Sequence, residues 1–445
     1  MTAGSRYLEG AFAPVTEEVT LTDLEVTGTI PADLDGRYVR NGPNPIDPDP
    51  ATYHWFLGSG MVHGVRLRDG QAEWYRNRWV RDAQTAAALG EPGPAGPSHN
   101  DGGDGTVNTN VALVGGRTFS LVEAGSYPIE LTDELETVGR NNFDGTLAGS
   151  YTAHPKPLGN DLHAITYWWP EESVHHVVIG ADGRVKRDVE VPIGGRPMVH
   201  DHAVSATRIA LFDFPVQFDM EIAMTGAGLP YRWMDDHQSR VGLLPIDGTA
   251  DDVVWCDVDP CYVYHPANAV DLADGSFQLD VVRHSSTFRN EPIEGTSVFA
   301  RWTVDPASGK VREEILDDLS VEFPRFDDRR AGSAYRYAYA SSLPIDDGGT
   351  GAIVRYDLEA GTSEQWHPGG SRFVGEVVFV PRDGGVALTA RDEADGWLVG
   401  YVHDEAAGAA ELVVLAADDI AAGPVGTVHL PTRIPIGFHG NWLPA

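Results

Sequence analysis

Residues 297–316 read SVFARWTVDPASGKVREEIL, two runs rich in β-branched and aromatic residues on either side of Asp-Pro-Ala-Ser-Gly. Apolar and polar residues alternate through both runs, and Asp, Pro, Ser and Gly supply the turn between them, so the stretch reads as a β-hairpin. The same form recurs at 66–74, RLRDGQAEW, and at 356–366, YDLEAGTSEQW. Further strand runs, such as SFQLDVVRH and HHVVIGADGRVKRDVEV, follow with a turn signal about every ten residues, as in all-β sandwiches, barrels and propellers. A strand, a tight turn and a strand is also the outer hairpin of a propeller blade. Two short segments, TLTDLEV at 20–26 and DAQTAAALG at 82–90, are the helix candidates, and EPGPAGPSHNDGGDG at 91–105 is a long loop.

The chain of 445 residues is read as one domain, 1–445, because large all-β architectures stay undivided at this length. Its 66 Asp and Glu against 32 Lys and Arg give a formal charge of -34, which repels phosphate backbones and excludes nucleic acid as a partner. The first residues carry no basic segment followed by an apolar one, and no run approaches a membrane span, so a soluble cytoplasmic protein is expected. Cys256 and Cys261 have neither zinc nor disulfide-framework spacing and are expected as buried thiols.

Four of the 16 histidines stand in distinctive settings: His154 in YTAHPKPLGND, His200 in RPMVHDHAVS, His265 in YVYHPANAVD and His439 in IPIGFHGNWLPA. Their separations of 46, 65 and 174 residues compare with roughly 64 residues per blade if seven blades share this length. Side chains from four blades would then meet on the central axis. Hydrogen-bonded structural histidines remain the alternative, since spacing this wide has no local ligand pair.

The chain resembles the carotenoid cleavage oxygenases. The resemblance runs in order through GTIPADLDGRYVRNGPNP at 28–45, HWFLGSGMVHGVRL, NTNV, TAHPK, MVHDHAVS, YHPANAVD, FVGEVVFVPR and GFHGNW. It implies a seven-bladed β-propeller whose loops on one face cap the active site. It also implies one Fe(2+) per chain on His154, His200, His265 and His439, with dioxygen as co-substrate. The family motif puts the ligand first in HDHAVS, which selects His200 over His202, its neighbour on one strand face. Glu123 in LVEAG, Glu322 in VEFPRF and Glu376 in FVGEVVFV match the carboxylates that orient ligand imidazoles. Thr109 in NTNV matches a residue that crowds an open iron position. Gly437 and Gly440 would let the backbone approach the axis, with Phe438 pointing away from His439.

The implied reaction is dioxygenase cleavage of a C=C bond into two carbonyl fragments, in a cavity lined by aromatics such as Trp55, Phe56, Trp79, Trp168, Trp169, Tyr231 and Trp233. Relatives cleave carotenoids, apocarotenoids, stilbenoids or phenylpropenoids. Val122 stands where stilbene-cleaving relatives carry a phenol-binding lysine, and a buried hydroxyl without a partner costs about 1–3 kcal/mol, which favours an apocarotenoid-like alkene. The segment 218–236, FDMEIAMTGAGLPYRWMDD, is weakly apolar and flanked by acids, so membrane contact is expected to be transient at most. A metal-free propeller acting as a binding scaffold is the reading from a different class.

Overall fold

The computed structural model describes residues 5–99, 104–225, 228–344, 349–382 and 393–445. The hairpins form as their turn chemistry dictates. Asp69 and Gly70 both take positive φ, 49° and 74°, the conformation of a two-residue turn whose twist matches its strands Gly60–Arg68 and Gln71–Trp79. The longer turns after Asp305, Asp357 and Asp404 share one solution. The Asp side chain accepts from the backbone N–H of Ala307, Ala360 and Ala407 respectively, and Gly309, Gly361 and Gly408 close each turn at positive φ. Residues 383–392, within the strand-like run 377–417, lie outside the described residues.

Among the described residues the strands form an all-β, propeller-like set of antiparallel sheets with few helices. Five sheets have the four or five strands of a blade. Seven separate blades are not what is found: a sixth sheet has eight strands and a seventh is a ribbon of two, Val216–Phe218 with Tyr231–Trp233. The eight-stranded sheet arises where Val254–Asp257 meets Lys310–Asp317 in parallel through a single pair, Asp257 with Lys310. The Asp257 amide donates to Gly309 O at 2.9 Å and Lys310 Nζ lies 3.0 Å from Asp257 Oδ2, so two four-stranded units merge there.

The chain ends are stitched into each other's sheets. Gly440–Pro444 pairs with Gly36–Pro43, and Glu25–Gly28 pairs with Pro424–Leu430. This is why the C-terminal residues do not fray. Of the two helix candidates, Ala83–Leu89 forms, capped by Asp82 accepting from the Thr85 amide at 2.7 Å and ended by Gly90 at φ 70°. The other does not, because 20–26 is drawn into the strands Thr20–Leu21 and Glu25–Gly28. A short helix, Met220–Thr225, is present without having been expected. Cys256 and Cys261 are free and buried, and no helix among the described residues is long and apolar enough to cross a membrane.

The approach to His439 is packed on a buried cation. Arg40 is 4% exposed and donates through Nη2 to Pro435 O at 2.7 Å. A Cβ on Gly437 would lie 1.3 Å from Arg40 Nη1, and one on Gly440 would lie 2.6 Å from the Tyr38 hydroxyl. Gly437→Ala must therefore displace Arg40, an overpacking cost of about 1–3 kcal/mol. A thermal melt should show a clear fall in Tm for this variant and none for Gly93→Ala, where an added Cβ meets open space.

Candidate metal centre

Four imidazoles from distant parts of the chain meet at one point. The ligating atoms of His154, His200, His265 and His439 all lie within 4.8 Å of one another. The Nε2 atoms are 3.1 Å apart for His154 and His200, 3.1 Å for His200 and His265, and 3.2 Å for His265 and His439. Backbone pairing sets the last of them: the His439 amide donates to Thr109 O at 3.1 Å, and the strand Gly440–Pro444 follows at once.

Three carboxylates hold the other ring nitrogens. His200 Nδ1 lies 2.6 Å from Glu123 Oε2, and His265 Nδ1 lies 2.6 Å from Glu322 Oε2. His439 Nδ1 donates to Glu376 Oε1 at 3.2 Å. Each carboxylate is itself fixed. The Tyr167 hydroxyl donates to Glu123, the Phe323 amide to Glu322, and the Gly440 amide to Glu376 at 2.6 Å, with Arg325 at 3.4 Å. Burial alone would raise the Glu322 and Glu376 carboxyls, but the facing histidines, with Arg325 for Glu376, bring both below the ordinary range. Burial, reinforced by the neighbouring imidazoles, pushes His154 well below the ordinary histidine value. Burial also takes His265 to about 3 against the pull of Glu322. For His200 burial acts downward, but the carboxylates of Glu123, Asp201 and Glu322 together outweigh it and the net direction is up.

This arrangement fits a divalent cation. An imidazole that gives its Nδ1–H to a carboxylate presents a lone pair at Nε2. The Nε2 contacts of His200 with His265 and of His265 with His439 are then lone pair against lone pair, which cannot be hydrogen bonds and are satisfied by a shared cation. Donors about 2.1 Å from one ion and at right angles stand about 3.0 Å apart, close to the observed spacing. Four neutral imidazoles suit iron among other transition metals.

The centre floors an apolar cavity of about 710 Å³, lined by Trp55, Phe56, Trp169, Tyr231, Thr109 and Val122 among others. Of the other expected aromatics, Trp233 lines an adjoining chamber of about 550 Å³. Trp79 and Trp168 are buried outside the cavity, the first donating to Asn44 O and the second tilted against His99. Thr109 donates its hydroxyl to Asn108 Oδ1 at 3.1 Å. Met220 and Met224 of the short helix are 47% and 79% exposed beside the cavity, an apolar rim. Behind the histidines lies a polar chamber of about 210 Å³ lined by His154, Lys156, Arg325 and Asp328.

Two strand-based expectations fail. Residues 200–202 precede the strand Ala203–Val204, so His200 and His202 do not share a strand face. His202 is fully buried away from the cluster, near His163, His176 and Lys156. Phe438 lines the same cavity as His439, its ring tilted against Trp55 at 4.6 Å between centroids, because 432–438 is not a strand and alternation does not apply. Sequence reasoning missed His284, whose Nε2 lies 2.5 Å from Glu322 Oε1, and Asp201, Lys156 and Arg325. His284 ends an ordinary strand and carries no signal of its role. Lys156 and Asp201 lie inside the motifs TAHPK and MVHDHAVS, beside the ligand histidines.

A protein-family model described as retinal pigment epithelial membrane protein matches residues 12–444. A carotenoid cleavage oxygenase of Mycobacterium tuberculosis is 42% identical over 496 residues, covering 98% of this chain and 97% of that protein. Among solved structures, a lignostilbene dioxygenase of Pseudomonas brassicacearum superposes with a TM-score of 0.88 at 27% identity, covering 99% and 98% of the two chains. A mutant of the Synechocystis apocarotenoid oxygenase gives 0.86 at 25% identity over 100% and 99%.

Replacing Glu322 by Gln leaves two histidines without their shared anion and should weaken divalent-metal binding about 10 to 100-fold. His154→Ala, His200→Ala, His265→Ala and His439→Ala should each abolish stoichiometric binding. His202→Ala should keep one ion per chain, as read by elemental analysis after reconstitution with ferrous salt.

Proposed function

The chain belongs to the carotenoid cleavage oxygenase family and is a dioxygenase, and from that premise we propose that it splits a C=C bond of an apocarotenoid-like conjugated alkene into two carbonyl products. One Fe(2+) per chain is assigned to His154, His200, His265 and His439, with Glu123, Glu322 and Glu376 orienting the imidazoles. The observation that carries this reading is the set of four converging Nε2 atoms at the floor of an apolar cavity. When bound, the iron supplies dioxygen activation.

The chain's own residues have the remaining tasks. The carboxylates face the Nδ1 atoms of His200, His265 and His439, so these three imidazoles stay aimed at one point without rearrangement. Trp55, Phe56 and Phe438 form a tilted aromatic wall against which a flat polyene can lie, with centroid separations of 4.6 to 5.7 Å within the wall. The apolar lining excludes water from the alkene, and Thr109 restricts the space beside the metal. No side chain is required as general acid or base.

Two structural parts belong to the same proposal. The eight-stranded sheet counts as two blades joined at Asp257 and Lys310, which makes seven in all, and loops on one face cap the cavity. The whole chain, 1–445, then acts as one oxygenase domain, an assignment supported by the cross-pairing of its two ends. A soluble cytoplasmic protein that touches a membrane only transiently, through Met220 and Met224, agrees with the exposed rim.

Val122 lines the cavity next to Glu123 and argues for a hydrocarbon there. The likeness to a lignostilbene dioxygenase favours the second reading, in which the same chemistry acts on a stilbenoid or an isoeugenol-like phenylpropenoid. Mass spectrometry of products from a mixed panel separates them. Apocarotenoids should yield aldehyde pairs while 4-hydroxystilbenes and isoeugenol react poorly. Val122→Lys should slow the former by placing a charge beside the polyene and speed the latter. Cleavage of the phenols alone would move the assignment to the second reading, and an iron-free protein after anaerobic reconstitution would favour a binding scaffold.

A further inference from the structure

We propose that Lys156 is a positioning residue of the metal centre, which acts by withholding the Asp201 carboxylate from His154. The inference rests on the four-histidine metal reading above. Three of the four imidazoles have a carboxylate within 3.2 Å of Nδ1. His154 does not. The carboxylate nearest to its Nδ1 is Asp201, whose Oδ2 lies 3.9 Å away and instead accepts from Lys156 Nζ at 2.7 Å. Asp201 Oδ1 is held by the His202 amide at 2.7 Å, so the whole carboxylate is committed.

The consequence is electrostatic. Glu123, Glu322 and Glu376 present charged oxygens to their imidazoles, whereas Asp201 and Lys156 together present a dipole that falls off faster with distance. The Asp201 side chain is 1% exposed, so little solvent screens it, and the Lys156 ammonium lies against its Oδ2 at 2.7 Å. His154 is therefore the ligand whose basicity is least reinforced, and the centre has four histidines but three reinforcing anions. Lys156 can hold this balance without being walled in. Its side chain is 23% exposed along the polar chamber, with Asp328 and Arg325 on the same lining.

Removal of the ammonium frees Asp201 to reinforce His154 as a fourth anion, while removal of the carboxylate leaves the ammonium facing the metal. The two single changes thus act in opposite directions, which an ion pair serving only to hold the fold cannot produce. Metal-free protein is titrated with Co(II) against a competing chelator, with thermal melts alongside. Lys156→Met should bind Co(II) about tenfold more tightly than wild type and Asp201→Asn about tenfold more weakly. The double variant should return to within about threefold of wild type, and Lys156→Arg should match it. Shifts of K156M and D201N in the same direction, or no shift in either, overturn the proposal. Should K156M fail to fold, D201N is compared with the double variant: a tenfold gap supports the proposal and equal affinities overturn it. Absence of Co(II) binding by wild type refutes the four-histidine reading itself, and this inference with it.

Discussion

The centre depends on three carboxylates that face the Nδ1 atoms of its imidazoles. Without Glu123, Glu322 and Glu376, four neutral rings crowded within 4.8 Å would have no reason to face one another through their lone pairs. With them, three of the four rings, those of His200, His265 and His439, are fixed in tautomer and direction. The carboxylates are held in turn by backbone: Gly440 N–H on Glu376 and Phe323 N–H on Glu322. The propeller-like body and the site are therefore continuous, because the amides that orient the anions belong to the segments that carry or neighbour the histidines.

The same construction explains why the chain end matters. His439 sits at the junction between an irregular segment packed on Arg40 and a strand locked to Gly36–Pro43. Glycine at 437 and 440 gives the space that the Arg40 guanidinium and the Tyr38 ring occupy. The terminal residues close a sheet, place one histidine of the cluster, and contribute Phe438 to the cavity wall.

Around the cluster the environment is divided. One side is an apolar cavity walled by Trp55, Phe56 and Phe438, and the other is a smaller chamber with charged residues. His200, His265 and His439 border the first, while His154 borders the second. The histidine that lacks a carboxylate is thus also the one on the charged side, which is where Lys156 and Asp201 meet it.

The sequence by itself determined the all-β class, because D-G and S-G type turns between alternating runs admit little else, and it marked the four histidines and three glutamates through motifs that occur in order. Other matters were decided by tertiary structure. Blade-sized sheets merge through one parallel pair at Asp257 and Lys310, a contact between residues 53 apart that no local pattern encodes. His202 and Phe438 depart from strand alternation because the chain around each is irregular, held by Asp201 in one case and by Arg40 in the other. His284 joins Glu322 only because two strands are brought side by side. Periodicity reports which face a residue takes within an element. The partners of a buried charge are set by which elements the fold brings together, and those are distant in sequence.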